Sequence, residues 1–246
     1  VKKILYIVLA SVMTISSTSI VSAKNYSSSL TKNFIITNLK YNILNESARI
    51  LCKNTKDIYP RLDTDIKMPV VYGLKNKTIE YKINTLIDED ILINKSKILN
   101  YSKEDTNLKN KYIFNVDYNL SYNKNNILSI TLIYYEYTGG AHGITTKKTF
   151  NINTKTGKLL TLKDLFCNNE NFKHIINNYI KNEISKNPKI YFKNTFKTIS
   201  ENQSFFIENN NIVIYFGLYE IAPYSSGIRE FRVPFNNFKY DIKVIE

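Results

Sequence analysis

Tyr134-Tyr135-Glu136-Tyr137-Thr138-Gly139-Gly140-Ala141-His142-Gly143 closes a hydrophobic strand-like run and turns it through a glycine-rich corner. In residues 127–137, Ile130, Leu132, Tyr134 and Glu136 fall on one face of a strand, and Thr131, Ile133, Tyr135 and Tyr137 on the other. Both faces are largely apolar, which predicts a central strand covered on both sides. A polar corner at the end of such a strand is where function concentrates on a rigid scaffold. Tyr135, Glu136, Tyr137, Gly139, Gly140 and His142 are therefore candidate binding residues. The glycines read as a turn or a close approach that a Cβ would obstruct, and His142 as a hydrogen-bonded corner residue rather than a catalyst.

Working outward, residues 112–122 form a second strand-like run, joined to the first by the four-residue loop Asn123-Lys124-Asn125-Asn126. A further strand is predicted over 144–152, followed by a turn at 153–157. Upstream, Ile79, Ile83, Leu86, Ile87 and Ile91 recur at helical spacing from Asn76. The polar side of that helix carries Asp88-Glu89-Asp90, the one dense acidic run, read as a solvated face that could also attract a cationic partner. Downstream, Thr161-Leu162-Lys163-Asp164 resembles a capping signal. The second helix has the stripe Phe172, Ile175, Ile176, Tyr179, Ile180 and Ile184, turns His174 to solvent and ends at Pro188. Strands follow at 204–207, 212–219 and 229–235. Residues 58–68, punctuated by Pro60 and Pro69, read as an edge strand or extended arm, and 33–43 as a first strand.

The predicted fold class is α+β, two packed subdomains, each an amphipathic helix against antiparallel strands. No strand–helix–strand rhythm supports a doubly wound parallel sheet. Each half has a hairpin ending in Tyr-Glu and a small-residue turn, an echo that adds Tyr219, Glu220 and Tyr224 to the candidate binding set.

The 246 residues carry a formal charge of +13. The lysines are spread along the chain and only Arg49, Arg61, Arg229 and Arg232 supply guanidinium forks, so a solvated basic surface is expected rather than a nucleic-acid reader. Lys2 and Lys3, an apolar run from Ile4 to Met13 and the small-residue end Val21-Ser22-Ala23 compose a secretory signal, residues 1–23, with cleavage after Ala23. The apolar run is short for a membrane span, so no stable span is expected after cleavage; an uncleaved anchor is the alternative. The expected product is extracellular or associated with the cell wall. In that compartment Cys52 and Cys167 would either pair or remain as buried free thiols.

His142 and His174 are the only histidines and no Asp-Asp or His-x-x-x-His cluster exists, so neither metal nor cofactor is expected. Phosphate-binding glycine patterns and a Gly-x-Ser-x-Gly elbow are absent. The sharpest catalytic alternative is a glycan-active hydrolase using Glu136 and Glu220, which would need carboxyls about 5–9 Å apart; a structural accessory with no ligand is the other.

Pro69-Val70-Val71-Tyr72-Gly73-Leu74-Lys75-Asn76, the helix with Ile83-Asn84 and the strand into Gly139-Gly140-Ala141-His142 resemble the PdaC-type module found N-terminal to a peptidoglycan deacetylase. Asn153-Thr154-Lys155-Thr156-Gly157, Leu160-Thr161-Leu162-Lys163-Asp164-Leu165-Phe166 and Tyr219-Glu220-Ile221-Ala222-Pro223-Tyr224 are similar to the C-terminal module of RsiV-like anti-sigma factors, which sense lysozyme by binding it. The resemblance implies a lead-in over 24–55, a PdaC-like module over 56–145 and an RsiV-like module over 146–246. It also implies an α+β fold and a non-catalytic role at the bacterial surface, with a wall glycan or other wall polymer, a wall hydrolase or lysozyme as partner. A chain that opens on a secretory leader is not expected to signal inward as an anti-sigma factor does. Lysozymes are cationic, so binding one would require a local acidic patch, with Asp88, Glu89 and Asp90 as the dense candidate.

Overall fold

Asn76 accepts hydrogen bonds from the Thr78 and Ile79 amides at 3.0 and 3.2 Å and so starts helix α1, Lys77–Glu104. The computed structural model describes residues 48–106, 110–167, 171–238 and 242–243. The expected leader and the strand predicted over 33–43 lie outside these residues. Ile83, Ile87, Ile91 and Ile98 of α1 are buried against one face of a six-stranded sheet, each side chain contributing about 1.5–3 kcal/mol.

The sheet runs in the order β1 (Arg49–Ile58), β2 (Leu62–Tyr72), β3 (Tyr112–Lys124), β4 (Ile127–Tyr137), β5 (Ile144–Asn153), β6 (Lys158–Leu159). The central, doubly covered position expected for residues 127–137 is that of β4. Leu128, Ile130, Leu132 and Tyr134 face α1, while Ser129 and Thr131 are buried on the other side. The loop between β3 and β4 is shorter than expected. Lys124 pairs with Ile127, leaving a two-residue turn of Asn125 and Asn126 with φ of 50° and 58°, a geometry asparagine tolerates.

Two local expectations are corrected. Residues 58–68 are not one arm: β1 ends at Ile58, the chain turns through Pro60, and β2 starts at Leu62. β1 is the edge strand and β2 is internal; Pro69 is tolerated there because β3 pairs only with Leu62–Ile66, so nothing on that side needs its missing N–H. The β2–β3 pairing is parallel, with α1 as the crossover, so one strand–helix–strand unit sits in an otherwise antiparallel sheet. Beyond that pairing, Asn84 of α1 takes over as partner for β2, donating to the Val71 carbonyl and accepting from its amide, both at 2.8 Å.

The second sheet is β7 (Phe205–Glu208), β8 (Asn211–Phe216) and β9 (Arg229–Pro234), all antiparallel. Helix α2, Phe172–Lys186, buries Phe172, Ile176 and Ile180 against Ile212, Ile214, Phe231 and Val233. The Thr161–Asp164 signal is a true capping box, but it closes a short 3-10 turn, Leu162–Leu165, rather than opening the helix.

The small sheet meets the face of the large sheet that α1 leaves open, and its point of contact is an edge. The Ile207 amide of β7 donates to Ser129 Oγ at 3.2 Å, and Asn151 Nδ2 donates to the Phe205 carbonyl at 2.9 Å. Ser129 Oγ in turn donates to Asn151 Oδ1 at 2.6 Å. Nearby, Lys147 pairs with Glu230 of β9, both about four-fifths buried. Buried polar groups must find partners, and here those of two strands satisfy an unpaired strand edge. Cys52 and Cys167 are free and exposed, so the expectation of a bridge or of buried thiols fails. Cys52 lies on β1, whose two faces are almost wholly open to solvent.

Candidate functional site

The glycine corner does gather aromatic side chains, and each glycine acts differently. Gly139 has φ +84° and makes the turn after β4. Gly140 has neither a positive φ nor a neighbour within 4 Å of a built Cβ. Gly143 is the close approach: a Cβ there would lie 2.4 Å from Tyr135 Cζ. Its carbonyl accepts from Tyr224 Oη at 2.8 Å and lies 3.1 Å from His142 Nδ1. The His142 ring stacks on Tyr224 with centroids 4.1 Å apart and planes 27° apart. Tyr219 continues the row at 5.8 Å from Tyr224; it is 54% exposed and its backbone has φ +64°. A non-glycine residue held in the left-handed region stores backbone strain.

Tyr135, His142 and Tyr224 thus gather around the buried Gly143, which was not among the candidates, and Tyr219 lies beside Tyr224. Gly143 shows the close approach expected of the corner glycines, though its neighbour, Tyr135, lies eight positions away across the turn. Tyr137 is half-buried at the end of β4, opposite Ile113. Arg229, also not foreseen, braces the turn carrying Tyr224: its guanidinium donates to the Ser226 carbonyl at 3.1 Å and to Tyr191 Oη at 3.0 Å.

The two glutamates are arranged differently from the row. Glu136 shares the α1 side of β4 with Tyr134 and lies opposite Phe114 in β3. Glu220 is not at a strand end, since β8 stops at Phe216; its Oε2 accepts from the Gly217 amide at 2.7 Å and closes its own turn. Tyr135, which contacts the corner, points the opposite way from Glu136 because alternate strand residues face opposite sides. The echo between Tyr135-Glu136 and Tyr219-Glu220 is therefore one of sequence alone.

The acidic run on α1 is also divided. Asp88 and Glu89 are exposed, whereas Asp90 accepts from Tyr134 Oη at 2.6 Å. Burial, reinforced by the Asp90 carboxylate, pushes the Tyr134 phenol far above its ordinary range. Among the described residues, no group of three or more His, Cys, Asp or Glu side chains is placed to hold a metal ion. No helix among them is long and apolar enough to cross a membrane.

These features coincide with two known modules. Residues 52–145 match the family described as Deacetylase PdaC, and residues 163–236 match a Protein of unknown function family, DUF3298. The chain is thus similar to a PdaC-type module followed by an RsiV-like DUF3298 module. It is 34% identical over 181 residues to the Anti-sigma-V factor RsiV of Bacillus subtilis, an alignment covering 69% of this chain and 62% of that protein. It is 27% identical over 154 residues to the Peptidoglycan-N-acetylmuramic acid deacetylase PdaC of the same organism, covering 60% of this chain and 32% of that protein. The chain thus spans less than two thirds of either relative. Crystal structures of DUF3298 family proteins from Bacteroides fragilis and Pseudomonas aeruginosa share the fold, with TM-scores of 0.61 and 0.59 at 16% and 14% identity. Each likeness covers 80% of this chain, and 95% and 94% of those chains respectively.

Proposed function

We propose that the chain is a secreted, non-enzymatic binding module of the bacterial surface that takes wall glycan on the row His142, Tyr224 and Tyr219. The observation that carries this reading is the aromatic row in which His142 stacks on the half-buried Tyr224 and the exposed Tyr219 continues it at a tilt, held by the Tyr224–Gly143 hydrogen bond and by Arg229. The apolar faces of sugar rings lie flat on such aromatic rings, and a surface already ordered loses little on binding. Similarity to a peptidoglycan deacetylase and to RsiV supports a wall-facing role. The catalytic alternative is weakened by Glu136 and Glu220, which belong to different surfaces. The lysozyme alternative is weakened by the loss of Asp90 to Tyr134, which leaves two exposed carboxylates, Asp88 and Glu89, the first of them beside Lys53 and Lys95.

The test is co-sedimentation with purified peptidoglycan at physiological salt. Tyr219→Ala removes one stacking face worth about 1–1.5 kcal/mol, so retention should weaken about tenfold. Wild-type protein that stays in the supernatant, or retention that ignores Tyr219→Ala, overturns the reading. Capture by lysozyme in place of glycan would transfer it to the protein partner.

A further inference from the structure

A second cleft, of about 220 Å³, opens beside β5 where the two modules meet. One wall is the outer edge of β5 at Lys147, Thr149 and Asn151, and the other is the segment from Glu201 to Phe205. β6 covers that edge only at Ile152 and Asn153. The Leu160 amide reaches the Asn151 carbonyl at 2.7 Å, and Tyr215 Oη reaches the Lys147 carbonyl at 3.5 Å. Both carbonyls therefore point outward from the sheet. Strand alternation then aims the main-chain N–H and C=O of Thr149, which lies between them, into the cleft.

The side chains around the cleft fall into two groups. Asn151 and Gln203 are spent internally, on Ser129 and the Phe205 carbonyl and on the Ser200 amide and the Tyr215 carbonyl. Thr149 Oγ1 meets Thr131 and Tyr215. These contacts fix the walls. Asn202 and Ser204 are exposed on the rim, with side chains engaged by no other described residue, and the partly buried Leu160 adds apolar surface. Sites for small ligands combine apolar walls with a few convergent polar groups, often at the seam between domains. This cleft is smaller than a site for a drug-sized molecule.

The geometry points to a binding site for a single 2-acetamido sugar. A strand-edge N–H and C=O pair is complementary to a secondary amide, Leu160 offers its methyl group an apolar contact, and Asn202 and Ser204 face the ring hydroxyls. The cleft is distinct from the aromatic row and does not depend on it.

Amide-resolved NMR titration of the full chain with N-acetylglucosamine, glucosamine, glucose and an N-acetylated dipeptide tests the assignment. N-acetylglucosamine should shift the Thr149, Asn202 and Ser204 amides. Glucosamine and glucose, lacking the acetamido group, should bind about tenfold more weakly or not at all. Ser204→Trp, a rim substitution at an exposed position, should abolish the shifts, and Asn202→Ala should weaken them. Tyr219→Ala should leave them unchanged, which separates this site from the glycan surface. Equal responses to glucosamine, a stronger response to the dipeptide, shifts that survive Ser204→Trp, or no shifts up to the solubility of the sugar would each overturn the assignment.

Discussion

Gly143→Ala tests the corner directly. The new Cβ would meet Tyr135 Cζ at 2.4 Å and its Cε2 and Oη at 2.5 Å, more than 1 Å inside ordinary contact. Either the Tyr135 ring swings away or the loop retreats. A retreating loop would break the 2.8 Å bond from Tyr224 Oη to the Gly143 carbonyl and unstack His142. Overpacking costs about 1–3 kcal/mol, and loss of the hydrogen bond adds about 0.5–1.5 kcal/mol where it occurs. Tyr135 is only half-buried and its ring tip can yield, so the lower half applies, about 1–2.5 kcal/mol in total. For a chain of this length that lowers the thermal midpoint by roughly 2–10 °C. The diagnostic measurement is a double-mutant cycle: Tyr135→Ala removes the obstacle, so Gly143→Ala should cost almost nothing in its background. The reasoning fails if Gly143→Ala leaves both the melting temperature and peptidoglycan retention unchanged, or if the two substitutions are additive. Gly140→Ala is the internal control and should be silent.

Further predictions follow from the seam and the ionisable groups. Asn151→Ala leaves the Phe205 carbonyl and Ser129 Oγ without their partner, and should lower unfolding stability by about 1–3 kcal/mol in urea titration; a silent variant would mean that β7 is held by something else. Burial raises the Asp164 carboxyl, but Lys158 and the Thr161 groups outweigh it and hold it at about 2. Because this folded value is depressed, its stabilisation is present above the unfolded value of about 4 and is lost as pH falls from there towards 2. That stabilisation is about 2 kcal/mol at neutral pH, and Asp164→Ala should remove the corresponding part of the acid sensitivity in urea midpoints. Tyr134→Phe leaves Asp90 without its phenol donor and should cost about 1–2 kcal/mol by the same measurement. In the wild-type protein Tyr134 should remain un-ionised in alkaline ultraviolet titration until the chain unfolds, and a full tyrosine count before unfolding would contradict its burial.

What could be read from the sequence, and what could not, follows from the range of the interactions. Both helices were legible because Ile83, Ile87 and Ile91, and likewise Phe172, Ile176 and Ile180, bury one stripe each. β4 was legible because both of its faces are apolar. β1 was not: Leu51-Cys52-Lys53-Asn54-Thr55-Lys56 is exposed on both faces and carries no alternation. The parallel β2–β3 pairing has no local signature, because it is fixed by where α1 returns the chain. At the corner, the tyrosines and His142 were identifiable by type. The contact that unites them joins Tyr224 to Gly143 across 81 residues, and no pattern in either segment announces it. Glu136 and Glu220 look alike in sequence, but strand alternation directs one and a local amide captures the other.

The sealing of β7 by Ser129 and Asn151 bears on inheritance. The matched segments end at residue 145 and resume at residue 163, yet β5 runs through Ile144–Asn153 and carries Asn151 into contact with the second module. A recombination event that exchanged the C-terminal module while keeping β4 and β5 would bring a new strand edge to an old pair of polar side chains. Such a chimera would lose about 1–3 kcal/mol of stability unless serine and asparagine, or groups making the same bonds, already stood at those two places. Lineages that shuffle these modules should therefore transmit Ser129, Asn151 and the β7 edge as one unit.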